Sequence, residues 1–450
     1  MVAEPESRTA LQRVLGLVTE IRRNEIVTAL LMALNGFLLL MAYSCIKPVR
    51  EALILSHPGG AEYKVYMAGA TAILLLGAVP LYAFVAARLP RNRLIVGVTA
   101  FFVTHLLAFY ALGVAVGPTL PLALGFYLWI AIFNMMIVAQ FWAFANDLYT
   151  EEAGQRIFPL IGLGASLGAL VGAFVAKELI RVVGSMEMML IAAVTLAGSA
   201  VLAQWVHVRE IGQTSTAPDR QAATHAVGGR AGDAFRAVLG QRYLLLIALF
   251  SLVFTMVKTN GDYVLARIVE DAASQAVAAG TLPAHGVTDY IGGFFADLSF
   301  WVDLISLGLQ AFVVSRVVKY FGLGVAFLLL PIVALADAAT MAVLPVLAAV
   351  RIGKTAESAI DYSLNNTVRN MLWLPTSRQA KYLAKQATDT FFVRAGDVSS
   401  AALVFVGAHL GLHARGFALV NVVLVVVWLV LARAIVREYG TLTAATRSTP

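Results

Sequence analysis

Charge is scarce in this chain. Only 13% of its 450 residues are Asp, Glu, Lys or Arg, about half of the ~25% usual in water-soluble domains. Cysteine is nearly missing as well. Cys45 stands alone, which excludes an internal disulfide and any cysteine-built zinc or iron–sulfur centre. The seven histidines are scattered without metal-ligand spacing. No nucleophile triad, metal cluster or nucleotide-binding loop is present, so neither an enzyme nor a cofactor is expected. What fills the space is apolar: 60% of the residues belong to the set AVILMFWYC, and mean hydropathy is +0.81. A water-soluble surface cannot be built from that composition, so the surplus side chains must face lipid. The net charge of +7 suggests no nucleic-acid partner, because the basic residues fall mostly in short loops, where they set membrane topology.

Apolar stretches long enough to span a bilayer occur near 26–46, 64–87, 94–117, 121–147, 157–180 and 187–207. They resume near 243–266, 289–316, 322–345, 346–373, 388–413 and 415–437. Each reaches the ~20 residues a spanning helix needs, although Pro345 is the only break between the ninth and tenth. The first 23 residues are polar and include Glu4, Glu6 and Glu20, unlike a cleaved leader. The first helix is therefore expected to be retained. The longest polar stretch, 208–240, reads as a linker between a bundle at 1–207 and a bundle at 241–450. Arg8, Arg13, Arg22 and Arg23 precede the first helix, and Arg88, Arg91 and Arg93 follow the second. Arg220, Arg230, Arg236 and Arg242 lie in or beside the linker. Arg316 and Lys319 follow the eighth helix, Arg378 and Lys381 the tenth, and Arg433 and Arg437 end the twelfth. With an even helix count all of these fall on one side, which the positive-inside rule makes the cytoplasm, together with both termini. The halves echo one another: Phe84-Val85-Ala86-Ala87-Arg88 ends the second helix and Phe312-Val313-Val314-Ser315-Arg316 ends the eighth. The expected fold is an all-α membrane protein with about twelve helices in two pseudo-symmetric six-helix bundles, the major facilitator arrangement. It is expected in the inner, cytoplasmic membrane.

Ionisable residues inside spanning segments cost at least ~2.5 kcal/mol each, so they mark cavities or partners. Lys47, Arg50 and Glu51 share a face at the end of the first helix, where Pro48 frees a carbonyl. They form either a cationic site for an anionic solute or an interfacial anchor that snorkels. In the tenth helix Arg351, Lys354, Ser358, Asp361, Asn365 and Arg369 follow steps of three and four, with Glu357 beside them. Such a stripe lines a watery path or a charge-paired interface. In the seventh helix Lys258 and Asp262 are four apart, with Gly261 between them. They make a gate or coupling site, or a pair that neutralises itself. Asp297, Asp303 and Asp337 are candidate proton carriers or partners of nearby bases. Gly164, Gly168 and Gly172, spaced by four, leave one face of the fifth helix as nearly bare backbone for close packing.

The run Phe141-Trp142-Ala143-Phe144-Ala145-Asn146-Asp147, followed by Arg156-Ile157-Phe158-Pro159-Leu160-Ile161-Gly162-Leu163-Gly164-Ala165, resembles the ATP/ADP nucleotide transporter family of plastids and intracellular bacteria. Tyr362-Ser363-Leu364 with Arg369 and Leu374-Pro375 adds to the resemblance. So do Lys381-Tyr382-Leu383-Ala384-Lys385, Asp389-Thr390, Arg394-Ala395-Gly396-Asp397, and Tyr43-Ser44 with Lys47, Arg50 and Glu51. The resemblance implies a major-facilitator-like fold and exchange of solutes across a membrane. The family's lysine at the end of helix 1 falls on Arg50, its helix 7 acid on Asp262 and its helix 10 lysine on Arg369. Two features depart from the pattern: residues 128–134 hold no carboxylate for the helix 4 acid, and the acid after the helix 10 lysine is Asn370.

The expected solute contacts are therefore Lys47, Arg50, Asp262 and Arg369, with Arg351, Lys354, Asp361 and Asn365 of the stripe. The expected gating or coupling residues are Glu51, Asn146, Asp147, Lys258, Glu357, Lys385, Asp389 and Arg394. Lys47 and Arg50 are expected to approach a central cavity from one side and Arg369 from the other. The leading reading is a secondary transporter, an exchanger or symporter, for an anionic solute, with phosphorylated and nucleotide-like solutes among the candidates. A lipid or amphiphile translocator on the same fold and a membrane sensor or assembly protein are the alternatives. Expected partners are membrane lipids and a small anionic solute, with the chain acting as a monomer.

Overall fold

Backbone groups in hydrocarbon must find partners within their own segment, which leaves helices as the solution for a chain of this composition. The computed structural model describes residues 25–86, 88–211, 236, 238–376, 384–385 and 387–448, and contains no strand among them. Six helices come first: α1 (Ile26–Leu55), α2 (Gly60–Ala86), α3 (Arg91–Val116), α4 (Leu120–Leu148), α5 (Glu151–Val183) and α6 (Met188–Ile211). Then follow α7 (Arg242–Ala278), α8 (Val287–Phe312), α9 (Val314–Val343), α10 (347–371), α11 (Thr388–His409) and α12 (Ala414–Ser448). Among the described residues eleven of these are long and apolar enough to cross a membrane. The remaining one is α10, whose Arg351, Lys354, Glu357 and Asp361 lower its hydropathy. Most of the linker, together with Arg8, Arg13, Arg22, Arg23, Arg378, Lys381, Tyr382 and Leu383, lies outside the described residues.

Two local irregularities shape the second half of the chain. Gly322 adopts φ 77°, a left-handed conformation that glycine reaches without a Cβ clash. It separates the first turns of α9 from the membrane-crossing part, matching the boundary at 322 read from hydropathy. In α10 the segment Asp361–Asn365 is a π-helix, and α11 opens with another at Thr388–Phe392. Each inserts a residue into the helical register, a device often found at functional sites.

The chain forms two compact units. The first contains Met1–Glu51, Gly77–Asp219 and Gly292–Phe300; the second contains Ala52–Leu76, Arg220–Ile291 and Trp301–Pro450. The first is centred on an aromatic stack in which Phe102 meets Trp129 and Phe133 at ring separations of 5.5 and 5.1 Å, and Phe126 lies 5.7 Å from Trp129. Alongside it, α5 lies directly on α1. A Cβ at Gly164, Gly168 or Gly172 would strike the backbone of Ala33, Phe37 or Met41. The glycine face therefore permits the backbone-to-backbone approach that its spacing suggested. The second unit is centred on Phe250, Phe254, Phe327 and Trp428, with Phe250 4.7 Å from Phe327 and Phe254 5.3 Å from Trp428.

The echoed Phe–Arg ends behave alike. Arg88 donates to the carbonyl of Phe84 at 2.9 Å, and Arg316 donates to the carbonyl of Phe312. Both arginines reach back to the end of the preceding helix, as interfacial anchors do.

Candidate functional site

In the second unit α7 and α10 exchange charges. Asp361, at the start of the π segment, accepts from Lys258 of α7 at 2.7 Å and from Asn365 at 2.9 Å. One turn further along α7, Asp262 pairs with Lys354 of α10 at 2.8 Å, and Lys354 also reaches Glu357 at 2.9 Å. The i,i+4 partners Lys258 and Asp262 thus do not close on each other through a direct ion pair; each is matched across to α10. Helical spacing shows which side chains share a face, but the neighbouring helix decides which of them meet. Gly261 lies beside this pairing: a Cβ there would be 3.6 Å from the Lys354 ammonium, an ordinary contact, and 3.3 Å from the Asn421 amide of α12, a slightly tight one.

Lys354 is 4% exposed and Glu357 9%, so this pairing is sheltered from water, where charge interactions are strongest. Asp337 of α9 comes up to the same place: its carboxylate packs against Gly353 of α10, beside Glu357 and in the field of Lys354 and Asp262. Lys64 of α2, itself buried, acts on Asp262 through its charge. Lys64 was missed in the sequence because it sits in the opening turns of α2, where an interfacial anchor is the ordinary explanation.

The α10 stripe is divided by the structure. Lys354, Glu357, Asp361 and Asn365 form the inward row, while Arg351 is exposed and lines an apolar groove of about 440 Å³ with Trp301, Ile305, Val313 and Ile352. Beyond the π segment Arg369 stacks on Phe254, its guanidinium carbon 5.0 Å from the ring centre. Lys258 lies 5.0 Å from the Tyr362 ring centre. On α11, Arg394 pairs with Asp397 at 3.3 Å, and Asp397 also accepts from Thr259 of α7 at 3.2 Å. Lys385 donates to Asn370 at 3.0 Å, and Asp389 is exposed. Asn370 thus receives the base on the α11 side at the position where the family pattern carries an acid.

In the first unit Arg50 donates to Glu51 through Nε at 3.0 Å and lies 4.7 Å from the Tyr127 ring centre. Lys47 is half-buried one turn earlier. Asn146 and Asp147 are exposed at the end of α4, and Arg156 holds Glu25 through both guanidinium nitrogens at 3.1 and 3.2 Å. Of the membrane acids singled out in the sequence, Asp297 pairs with Lys177 at 3.3 Å. A further cluster, in the second unit, was not legible: Glu62 accepts from Tyr263 at 2.8 Å and meets Arg267 at 3.5 Å, while Glu270 accepts from the Ala61 amide at 2.7 Å. Glu270 and Arg267 are three apart on α7, which was a usable signal, but Glu62 lies far away in sequence.

The arrangement holds paired charges in partly water-excluded surroundings, where charge interactions are strong. The fold resembles a crystal structure of the nucleoside transporter NupG, with a TM-score of 0.60 at 13% identity, over 92% of this chain and 99% of that one. It also resembles a POT family transporter bound to 5-aminolevulinic acid, with a TM-score of 0.62 at 12% identity, over 92% and 96%. At the sequence level it is 21% identical to ADP,ATP carrier protein 1 of Chlamydia trachomatis, over 91% of this chain and 88% of the carrier. The carrier of the same name from Chlamydia pneumoniae is also 21% identical, over 66% of this chain and 64% of the carrier. Residues 126–439 match the family described as TLC ATP/ADP transporter, and the chain belongs to that family.

Proposed function

We propose that the chain is a secondary transporter that moves an anionic, nucleotide-like solute across a membrane by alternating access. The observation that carries the reading is the α7–α10 charge row. Lys258–Asp361 and Lys354–Asp262 are half-sheltered ion pairs with Arg369 at the row's end, in a chain whose family relatives are named as nucleotide carriers. An ion pair in a low-dielectric site can be replaced by a ligand charge of the same sign, so an anionic solute can displace Asp262 or Asp361 from its base. Such competition biases the conformational equilibrium, because the ligand then favours one state over another. Arg50 and Arg369 are the proposed phosphate contacts, since guanidinium groups bind phosphate through two parallel hydrogen bonds. The halves 1–207 and 241–450, joined by the 208–240 linker, are the proposed moving bodies. The protein is proposed to act as a monomer in the cytoplasmic membrane with both termini in the cytoplasm.

A thermal-shift panel of the purified protein tests this. ATP, ADP, nucleosides, sugar phosphates and phospholipids are added separately, because a ligand that binds the folded state raises its melting temperature. A rise with ATP or ADP that is lost in Arg50→Ala and Arg369→Ala supports the reading. A rise with neutral compounds or phospholipids alone contradicts it.

A further inference from the structure

The carboxylates around Lys354 outnumber the bases. Asp262 of α7, Asp337 of α9 and Glu357 of α10 all lie in the field of this one ammonium. Lys64 of α2 stands in the field of Asp262, and Lys258 is taken by Asp361. Helix α12 contributes Asn421, an uncharged amide, on the Gly261 side. Among the described residues two ammonium groups, Lys354 and Lys64, thus stand in the field of three carboxyls. Asp337 is the least well matched of the three: it is 5% exposed, and its Oδ1 has no hydrogen-bond partner. Glu357, a second carboxyl, stands one turn beyond Gly353 on the α10 face that Asp337 packs against. Two carboxyl groups brought together in so dry a place relieve their repulsion when one of them takes a proton. Helix α10 presents Gly353 to Asp337, and a Cβ there would collide with the Asp337 carboxylate, so the backbone opens a seat for the group.

We propose that Asp337 and Glu357 form a proton-binding site and, resting on the transporter reading above, that this site couples solute movement to a proton. Binding takes one proton from water. It converts one carboxylate to a carboxylic acid whose O–H donates to the other carboxylate, and release returns the same proton to water. With the proton present, Lys354 is shared between Asp262 and the remaining carboxylate. When the proton leaves, the second charge on the pair draws Lys354 away from Asp262, which frees the α7 acid to change partners. The proton and the solute thereby act on the same lysine, which is the physical link that coupled transport requires.

Infrared difference spectroscopy of the reconstituted full chain, recorded across a pH titration, tests the site without any solute. The wild type is expected to show the carbonyl stretch of a protonated carboxylic acid near neutral pH, titrating away in alkali. Asp337→Asn and Glu357→Gln should each remove that band, and Asp297→Asn, whose acid pairs with Lys177, should leave it. A wild type without a titrating carboxylic-acid band overturns the proposal whatever the variants do, as does a band that survives in both variants. For the coupling, proteoliposomes take up labelled ATP or ADP with and without an inward proton gradient. The gradient should raise uptake several-fold in the wild type, and the ratio should fall to one in Asp337→Asn. A wild-type ratio of one overturns coupling. Absence of any nucleotide uptake refutes the nucleotide reading instead, while the infrared result still decides whether the proton site exists.

Discussion

Replacing Lys354 with methionine removes the one buried cation that Asp262 and Glu357 both contact, at 2.8 and 2.9 Å, and leaves the side-chain volume nearly unchanged. Breaking a buried pair from one side typically costs about 3–5 kcal/mol, because the partner charge is stranded. The Asp262 side chain retains 35% exposure, so water recovers part of its share and the lower end of that range applies. Unfolding entropy of about 2.1 cal/mol/K per residue over 450 residues converts 1 kcal/mol into ~1 °C. The expected drop is therefore about 3 °C, read as the melting temperature of the detergent-purified protein. Adding Glu357→Gln to Lys354→Met should restore part of the loss, since the second change removes a stranded charge. The two changes should couple by about 0.5–3 kcal/mol. Acidification should also narrow the gap between variant and wild type, because a proton can neutralise an orphaned carboxylate. An unchanged melting temperature in the single variant, or purely additive losses in the double variant, would refute the claim that Lys354 holds these acids together.

Gly168→Leu should lower yield and melting temperature, since its side chain would enter the Phe37 backbone of α1. Overpacking of well-filled contacts costs about 1–3 kcal/mol, and normal yield with normal melting would contradict the α1–α5 packing. A cysteine at Ser358, half-buried on α10, introduced with Cys45 replaced, should react with a water-soluble thiol reagent. Labelling only by lipid-soluble reagents would place that face in lipid. A reporter fused after Pro450 should be active on the cytoplasmic side, and activity only outside would overturn the proposed topology.

Most helices were legible because the bilayer leaves the backbone no alternative, and hydropathy alone placed the spans. Helix α10 is the exception: 346–373 reads as one more apolar stretch, whereas its charges at Lys354, Asp361 and Arg369 leave it outside the eleven helices apolar enough to cross, and it is their helical spacing that marks it. The glycine face of α5 was readable because Gly164, Gly168 and Gly172 repeat every four residues. Partners were not. Lys258 and Asp262 satisfy the i,i+4 rule, yet Asp361 and Lys354 take them, and the choice depends on how α7 and α10 pack. The π segment at Asp361–Asn365 was equally hidden, since one added residue leaves no mark in composition. Arg351 continues the numerical stripe and yet lies on the apolar groove beside Trp301 and Ile352. The Glu62–Arg267–Glu270 cluster joins residues too far apart in sequence for any periodicity to connect.

The most direct test of the transporter account is solute exchange in proteoliposomes holding the purified chain. Vesicles preloaded with unlabelled ADP and presented with labelled ATP should accumulate label with saturable kinetics. Arg50→Ala and Arg369→Ala should each reduce accumulation at least tenfold, about 1.4 kcal/mol or more of lost phosphate contact. Saturable uptake of a neutral or cationic solute that is unchanged in both variants would contradict the account.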